Sequence, residues 1–159
     1  MESSNTTRTY DDLRTAVSAC AADPRVLDGL AAIFRDVDER VARVGAVCMG
    51  GGGCCRFALA GHRLYVSTAE LAALLTVPPV RPAAGPLECP YQQGPACHAR
   101  HHRPLGCRTF FCKSSRLPEP ATAELYETAH AKIRQLHESL NVPYHYVEAT
   151  DAIARVKSQ

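Results

Sequence analysis

Seven of the eight cysteines in this chain lie between positions 48 and 112, and two of them are adjacent. They are Cys48, Cys54, Cys55, Cys89, Cys97, Cys107 and Cys112. Cysteine is a rare residue that other small apolar residues can replace in a core, so packing alone does not explain this density. Thiols gathered in this way indicate either a disulfide framework or a site for a metal ion or an iron–sulfur cluster.

The rest of the chain favours a metal or a cluster over disulfides. Residues 1–14 lack the basic start and apolar run of a secretory signal. No apolar stretch reaches the roughly 18 residues of a membrane-spanning helix. We therefore expect a cytoplasmic protein with no membrane contact, in which thiols stay reduced and clustered cysteines more often hold metal.

The spacing of the cysteines predicts a site built from two distant segments. It reads Cys-x5-Cys-Cys, then a gap of 33 residues, then Cys-x7-Cys-x9-Cys-x4-Cys. Neither the paired knuckles of zinc fingers nor the tight cysteine run of bacterial ferredoxins is present. Side chains of neighbouring residues diverge on an extended backbone, so Cys54 and Cys55 suit a cluster better than one small ion. We expect an iron–sulfur cluster, [4Fe–4S] in preference, with zinc as the alternative.

The charges near the second segment suit an anionic centre. Residues 89–118 contain four arginines and one lysine and no acidic residue. Cations stabilise thiolates, so we expect Arg103 and Arg108 to contribute to cofactor binding. The alternatives for this basic segment are a solvated face and a contact with an anion or nucleic acid.

His98, His101 and His102 could also ligate, although surface positions in a basic loop are the favoured interpretation. Cys20 lies away from the others and is predicted to be a buried apolar residue.

The order of short motifs around the second group of cysteines carries a family resemblance. It runs Cys89-Pro-Tyr, Cys97-His, Arg103-Pro and Cys107-Arg-Thr-Phe, after an upstream Cys54-Cys55. Together with the stretch from Leu64 to Glu70, this resembles the YkgJ-type cysteine-cluster family over roughly residues 48–112. Members of that family are described as zinc- or iron-chelating proteins and often as iron–sulfur oxidoreductases. The resemblance implies that cysteines from both segments ligate the metal.

Hydrophobic periodicity predicts a mostly helical α+β domain over residues 1–159, with a short β-hairpin and irregular metal-binding loops. Residues 1–8 are expected to be disordered, and residues 48–112 to form the cysteine-rich metal-binding core. Ser67 and Glu70 match a capping box at the start of a helix. Other predicted elements are helices near 10–22, 24–44, 120–141 and 149–156, a hairpin over 56–66, an irregular loop over 77–88 and a strand over 144–147.

Several functions remain open. A net charge of +2 gives no indication of nucleic-acid binding, and the glycines at 50–53 lack the Lys-Ser/Thr of a phosphate-binding loop. No nucleophile–base pair is evident, so no catalytic residues are predicted and enzymatic activity stays an open question. The leading hypothesis is a redox or electron-transfer protein with an unknown redox or protein partner. The alternatives are a structural-zinc interaction module with a basic surface and a subunit or relative of a cluster-dependent modifying enzyme.

Overall fold

The computed structural model describes residues 2–46, 51–83, 88–110 and 119–157. Its α-helices are α1 Glu2–Ala22, α2 Pro24–Arg43, α3 Phe57–Ala60, α4 Thr68–Leu75, α5 Leu105–Thr109, α6 Glu119–Ser139 and α7 Ala149–Lys157. Its strands are β1 Tyr65–Ser67, β2 Gln92–Gln93, β3 Ala96–Cys97 and β4 Tyr146–Glu148, and 3-10 turns span Gly53–Cys55 and Arg100–His102. The predicted fold class, a mostly helical α+β domain, is confirmed.

Helix α2 illustrates how the sequence sets a boundary and a buried face. The carboxylate of Asp23 accepts a hydrogen bond from the backbone N–H of Arg25 at 2.9 Å, and Pro24 occupies the first turn. Gly45 adopts a left-handed φ of +73° just after the helix, as a terminating glycine does. The apolar stripe is buried at Val26, Leu30, Phe34 and Val37. The helix predicted near residues 24–44 is therefore confirmed, and its buried face packs against α6.

The predicted hairpin over residues 56–66 is wrong. Phe57 begins the short helix α3, and Gly61 ends it with a φ of +69°. Phe57 is buried whereas Leu59 is 80% exposed, so their spacing did not mark one face of a strand. Strand β1 follows, but it pairs antiparallel with β4, with Val66 opposite Val147. A hairpin does occur, as β2 and β3 joined through Gly94, within the second cysteine segment.

The core lies between the long helices and the β1–β4 pair. It includes Leu13 and Cys20 of α1, which packs on α4, and Ile133 of α6. Cys20 is fully buried, as predicted, and burial together with the charge of Asp23 raises the pKa of its thiol to about 11. Helix α1 includes the backbone of residues 2–8, which were expected to be disordered. The expected disorder of these residues in solution stays a prediction.

None of the described helices is both long enough and apolar enough to cross a membrane.

His137 joins α6 to the start of α4 through a buried ring. The backbone N–H of Ala69 donates to its Nε2 at 3.4 Å, and Nδ1 lies 3.3 Å from the carbonyl oxygen of Val142. An accepting Nε2 requires the neutral tautomer with the proton on Nδ1. Burial lowers the pKa of His137, although the carbonyls of Val142 and Pro143 act in the opposite direction.

We predict that His137 makes the domain less stable as the pH falls. The unfolded chain takes up the proton near the ordinary histidine pKa of about 6.5, and the folded chain takes it up only at a lower pH. The free energy of unfolding should therefore fall from about pH 7 to about pH 5.5, as measured by urea denaturation. In His137→Gln the decrease should be smaller, whereas exposed His102→Gln should behave like the wild type. Equal pH dependence in all three proteins would contradict this prediction.

Candidate functional site

One cavity of about 720 Å³ is lined by cysteines from both predicted segments. These are Cys54, Cys55, Cys89, Cys97 and Cys107. Each is half-buried, and none of them forms a disulfide. The structure thus brings together five of the seven predicted metal ligands around what we call the thiol cavity. The other two, Cys48 and Cys112, lie outside the described residues.

The first cysteine segment enters the cavity through a tight turn. Gly52 has a φ of +67°, and a Cβ atom there would lie 2.6 Å from Nε2 of Gln92. Without a Cβ, its carbonyl oxygen accepts a hydrogen bond from that Nε2 at 3.0 Å. The 3-10 turn Gly53–Cys55 follows and places both adjacent thiols on the cavity. An extended backbone would have sent the two side chains to opposite faces.

The second cysteine segment docks directly on the first. The backbone N–H of Cys89 donates to the carbonyl oxygen of Cys55 at 2.9 Å. Cys97 is held by the β2–β3 hairpin, opposite Gln92. Cys107 lies on the short helix α5. Backbone contacts, rather than long regular elements, therefore set the relative positions of these thiols.

The thiols interact with one another strongly enough to change their acidity. A hydrogen bond to Cys55, followed by burial, raises the pKa of Cys54. The same bond lowers the pKa of Cys55, but a hydrogen bond to Cys89, burial and the charges of Cys89 and Cys97 outweigh it and raise that pKa to about 11. Burial, together with the charges of neighbouring thiols, raises the pKa of Cys107. Holding several of these groups as thiolates at once therefore requires a compensating positive charge.

Arg103 supplies part of that charge. Its side chain lines the thiol cavity, and its charge lowers the pKa of both Cys54 and Cys107 against the larger effects that raise them. Arg63 and Arg100 also line the cavity, whereas no acidic residue of the described chain does. The environment is therefore cationic, as the composition of the second segment predicted.

Arg108 has a different position from the one expected. Its guanidinium group is ion-paired with Asp38 of α2, lies 4.2 Å from the ring centre of Phe34 and donates to the carbonyl oxygens of Arg103 and His101 at 2.7 and 2.8 Å. The side chain is only 4% exposed and is not among the described residues that line the cavity. These contacts fix α5 against α2.

The histidines near the cavity differ from those that the sequence singled out. His98, His101 and His102 are exposed and are not among the described lining residues, in keeping with the surface interpretation. His62 does line the cavity and stacks on Phe110 with ring centres 4.5 Å apart. Its Nε2 lies 3.0 Å from the carbonyl oxygen of Cys54. Sequence reasoning missed it, and its closeness in sequence to Cys54 and Cys55 was the one available signal.

The donor set suits a soft metal, but the described residues do not form a finished site. Thiolates are preferred ligands of zinc and of iron–sulfur clusters. Within the part of the chain that the structure describes, however, no group of three or more Cys, His, Asp or Glu side chains is placed to hold a metal ion. The thiols share a cavity without converging, so metal binding would have to turn some of their side chains.

No family model matches the chain, and no curated protein or solved structure is significantly similar to it. The resemblance to the YkgJ-type family, and the ligand set that it implies, therefore stay predictions.

Glu70 connects the helix between the two cysteine segments to the second segment. One carboxylate oxygen accepts from the backbone N–H of Ser67 at 2.7 Å, which completes the predicted capping box. The other accepts from the backbone N–H of Leu105 at 2.8 Å, at the start of α5. The side chain is almost fully buried, so one carboxylate satisfies donors at the beginning of two helices.

We predict that Glu70→Gln destabilises the domain by about 1–3 kcal/mol, because the amide can accept through only one of its two terminal atoms and leaves a buried N–H unpaired. Urea denaturation would measure this loss. Glu124→Gln, on the exposed side of α6, is the matched control and should change stability by less than about 0.5 kcal/mol. Similar stabilities for the two variants would refute the bridging role.

We also predict that Arg108→Lys costs about 2–3 kcal/mol, because lysine keeps the charge but cannot reproduce the forked hydrogen bonds and the stacking. Arg43→Lys in the exposed pair with Glu39 should stay within about 0.5 kcal/mol of the wild type. Thermal or urea unfolding of both variants provides the comparison. A loss at Arg43 as large as that at Arg108 would show that the buried contacts contribute little.

Proposed function

We propose that this protein binds an iron–sulfur cluster, [4Fe–4S] in preference to zinc, through thiols of the cavity. The observation that carries the proposal is that five free cysteines from two distant segments line one cavity. Packing does not require such a gathering, and the described cysteines are not joined in disulfides. We further propose that the protein is cytoplasmic, where a site of reduced thiols would persist.

The charges around the cavity support this proposal. Four thiolates around a [4Fe–4S] core of charge +2 leave a net charge of about −2, and four thiolates around zinc leave the same charge. Arg103 is within electrostatic range of Cys54 and Cys107 and would offset that charge. A bound metal would also stabilise the thiolates that the free site disfavours.

The number and position of the thiols favour a cluster over a single ion. A zinc ion takes four ligands that meet at one point, whereas the ligands of a cluster attach at separate iron atoms. The five described thiols are spread around a cavity, two of them on one turn. Ligation would require some of the thiol side chains to rotate, and a cysteine side chain can rotate about a single bond. A bound cluster would support a redox or electron-transfer role. A bound zinc ion would instead support a structural role, in which it holds the two cysteine segments together.

We predict that protein purified without oxygen contains iron and acid-labile sulfide and has a visible charge-transfer spectrum. Elemental analysis for iron and zinc, with a sulfide assay on the same sample, would measure this. Cys55→Ser and Cys107→Ser should lose most of the metal, because each removes a thiol of the cavity. Cys20→Ala is the matched control and should keep it, because Cys20 lies in the core away from the cavity.

The outcomes separate the alternatives. A spectrum that bleaches reversibly with dithionite would favour electron transfer, and a colourless zinc protein that unfolds with a chelator would favour the structural-zinc module. A folded protein that contains neither metal nor sulfide, and that is unaffected by Cys107→Ser, would overturn the proposal.

A further inference from the structure

The thiol cavity extends well beyond its cysteines. A second wall is formed by residues of β1, α6, β4 and α7, which we call the aromatic wall. It consists of Tyr65, Ala123, Tyr126, Tyr146 and Ile153. Tyr65 stacks on Tyr146 with ring centres 5.6 Å apart, and the hydroxyls of Tyr126 and Tyr146 are hydrogen-bonded to each other. This wall offers no cysteine, histidine or carboxylate to a metal.

The volume of the cavity matches an organic ligand. Pockets for small molecules typically measure about 300–1,000 Å³ and have mainly apolar and aromatic walls with a few polar groups. This cavity measures about 720 Å³, and Phe57, Leu64 and Phe110 extend its apolar lining. A metal centre held by the cysteines would occupy only the part beside the thiols. The remaining space therefore suits a second occupant with an apolar, flat body.

The charge of the cavity indicates which polar group that occupant carries. The charged side chains among its described lining residues are Arg63, Arg100 and Arg103, all of them cationic. In the part of the chain that the structure describes, none of the three forms an ion pair with an acidic side chain. The charge of Arg103 acts on the thiols, whereas Arg63 and Arg100 are exposed lining residues that we assign to the ligand. Guanidinium groups on an apolar cavity favour carboxylates and related anions.

We infer that the thiol cavity binds a small organic anion with an aromatic body, such as an aryl carboxylate, with the ring against the aromatic wall and the anionic group on the arginines. This inference goes beyond metal binding and does not depend on it, because neither the aromatic wall nor the arginines include a cysteine.

Three naphthalene probes of equal size and different charge test the inference. Calorimetric titrations with 2-naphthoate, 2-naphthylmethanol and 2-naphthylmethylamine should rank the affinities in that order. The carboxylate should bind at least about tenfold more tightly than the ammonium, which corresponds to about 1.4 kcal/mol. Equal affinities across the series, or no binding of any probe to the wild type, would overturn the inference.

Variants on one helix place the probe in the cavity. Ala123 is exposed on α6 and lines the cavity, so Ala123→Phe should fill the space and weaken 2-naphthoate binding about tenfold or more. Ala121 is exposed on the same helix and is not among the described lining residues, so Ala121→Phe should bind like the wild type. Equal effects of the two variants would count against this binding site.

A second pair of variants tests the charge. Arg100→Gln should reduce the preference for naphthoate over naphthylmethanol by about tenfold, whereas Arg35→Gln on the exposed face of α2 should not change it. An unchanged preference in Arg100→Gln would contradict the proposed anion contact.

Metal and sulfide measurements on the same preparations keep the two proposals apart. Ala123→Phe should lose the probe and keep its metal content, and Cys107→Ser should lose metal. A wild type that binds naphthoate but contains no metal would sink the cluster proposal alone. A wild type that contains the cluster but binds no probe would sink the ligand proposal alone.

Discussion

The buried carboxylate of Glu70 is the contact on which the geometry of the thiol cavity most depends. It accepts backbone hydrogen bonds at the start of α4, between the two cysteine segments, and at the start of α5, within the second segment. Burial raises the pKa of Glu70, and the two donors act against this by favouring the ionised form. Helix α5 has five residues and little stability of its own, so this contact orients Cys107.

The remaining contacts around α5 and the first segment act in the same way. Arg108 ties α5 to Asp38 and Phe34 of α2, and Gln92 fixes the turn that begins at Gly52. In this part of the domain, buried polar side chains fix the positions of the backbone segments, as packing between long helices does elsewhere. A site built in this manner can hold thiols from distant segments, yet single hydrogen bonds control their spacing.

Both proposed occupants of the cavity place negative charge in a cationic environment. A thiolate cluster would draw on Arg103, and an organic anion on Arg63 and Arg100, so the arginines limit how much anionic charge the cavity can hold. If both occupants are present, their charges would repel each other through the same space. Binding of the anion would then be sensitive to the charge of the metal centre, which gives a redox-active cluster a physical means of influencing ligand affinity.

Local signals along the chain were sufficient to predict several helices and much of the donor set. Caps and apolar periodicity act within a few residues, so they predicted helix α2, the capping box of Ser67 and Glu70, and helix α6. The gathering of cysteines from two segments followed from their density and type. The folded chain was needed to show that β1 pairs with β4 and that Arg108 holds α5 against α2. It was also needed to place His62 and the aromatic wall on the cavity. Those features depend on contacts between residues far apart in the chain, for which local patterns carry no signal.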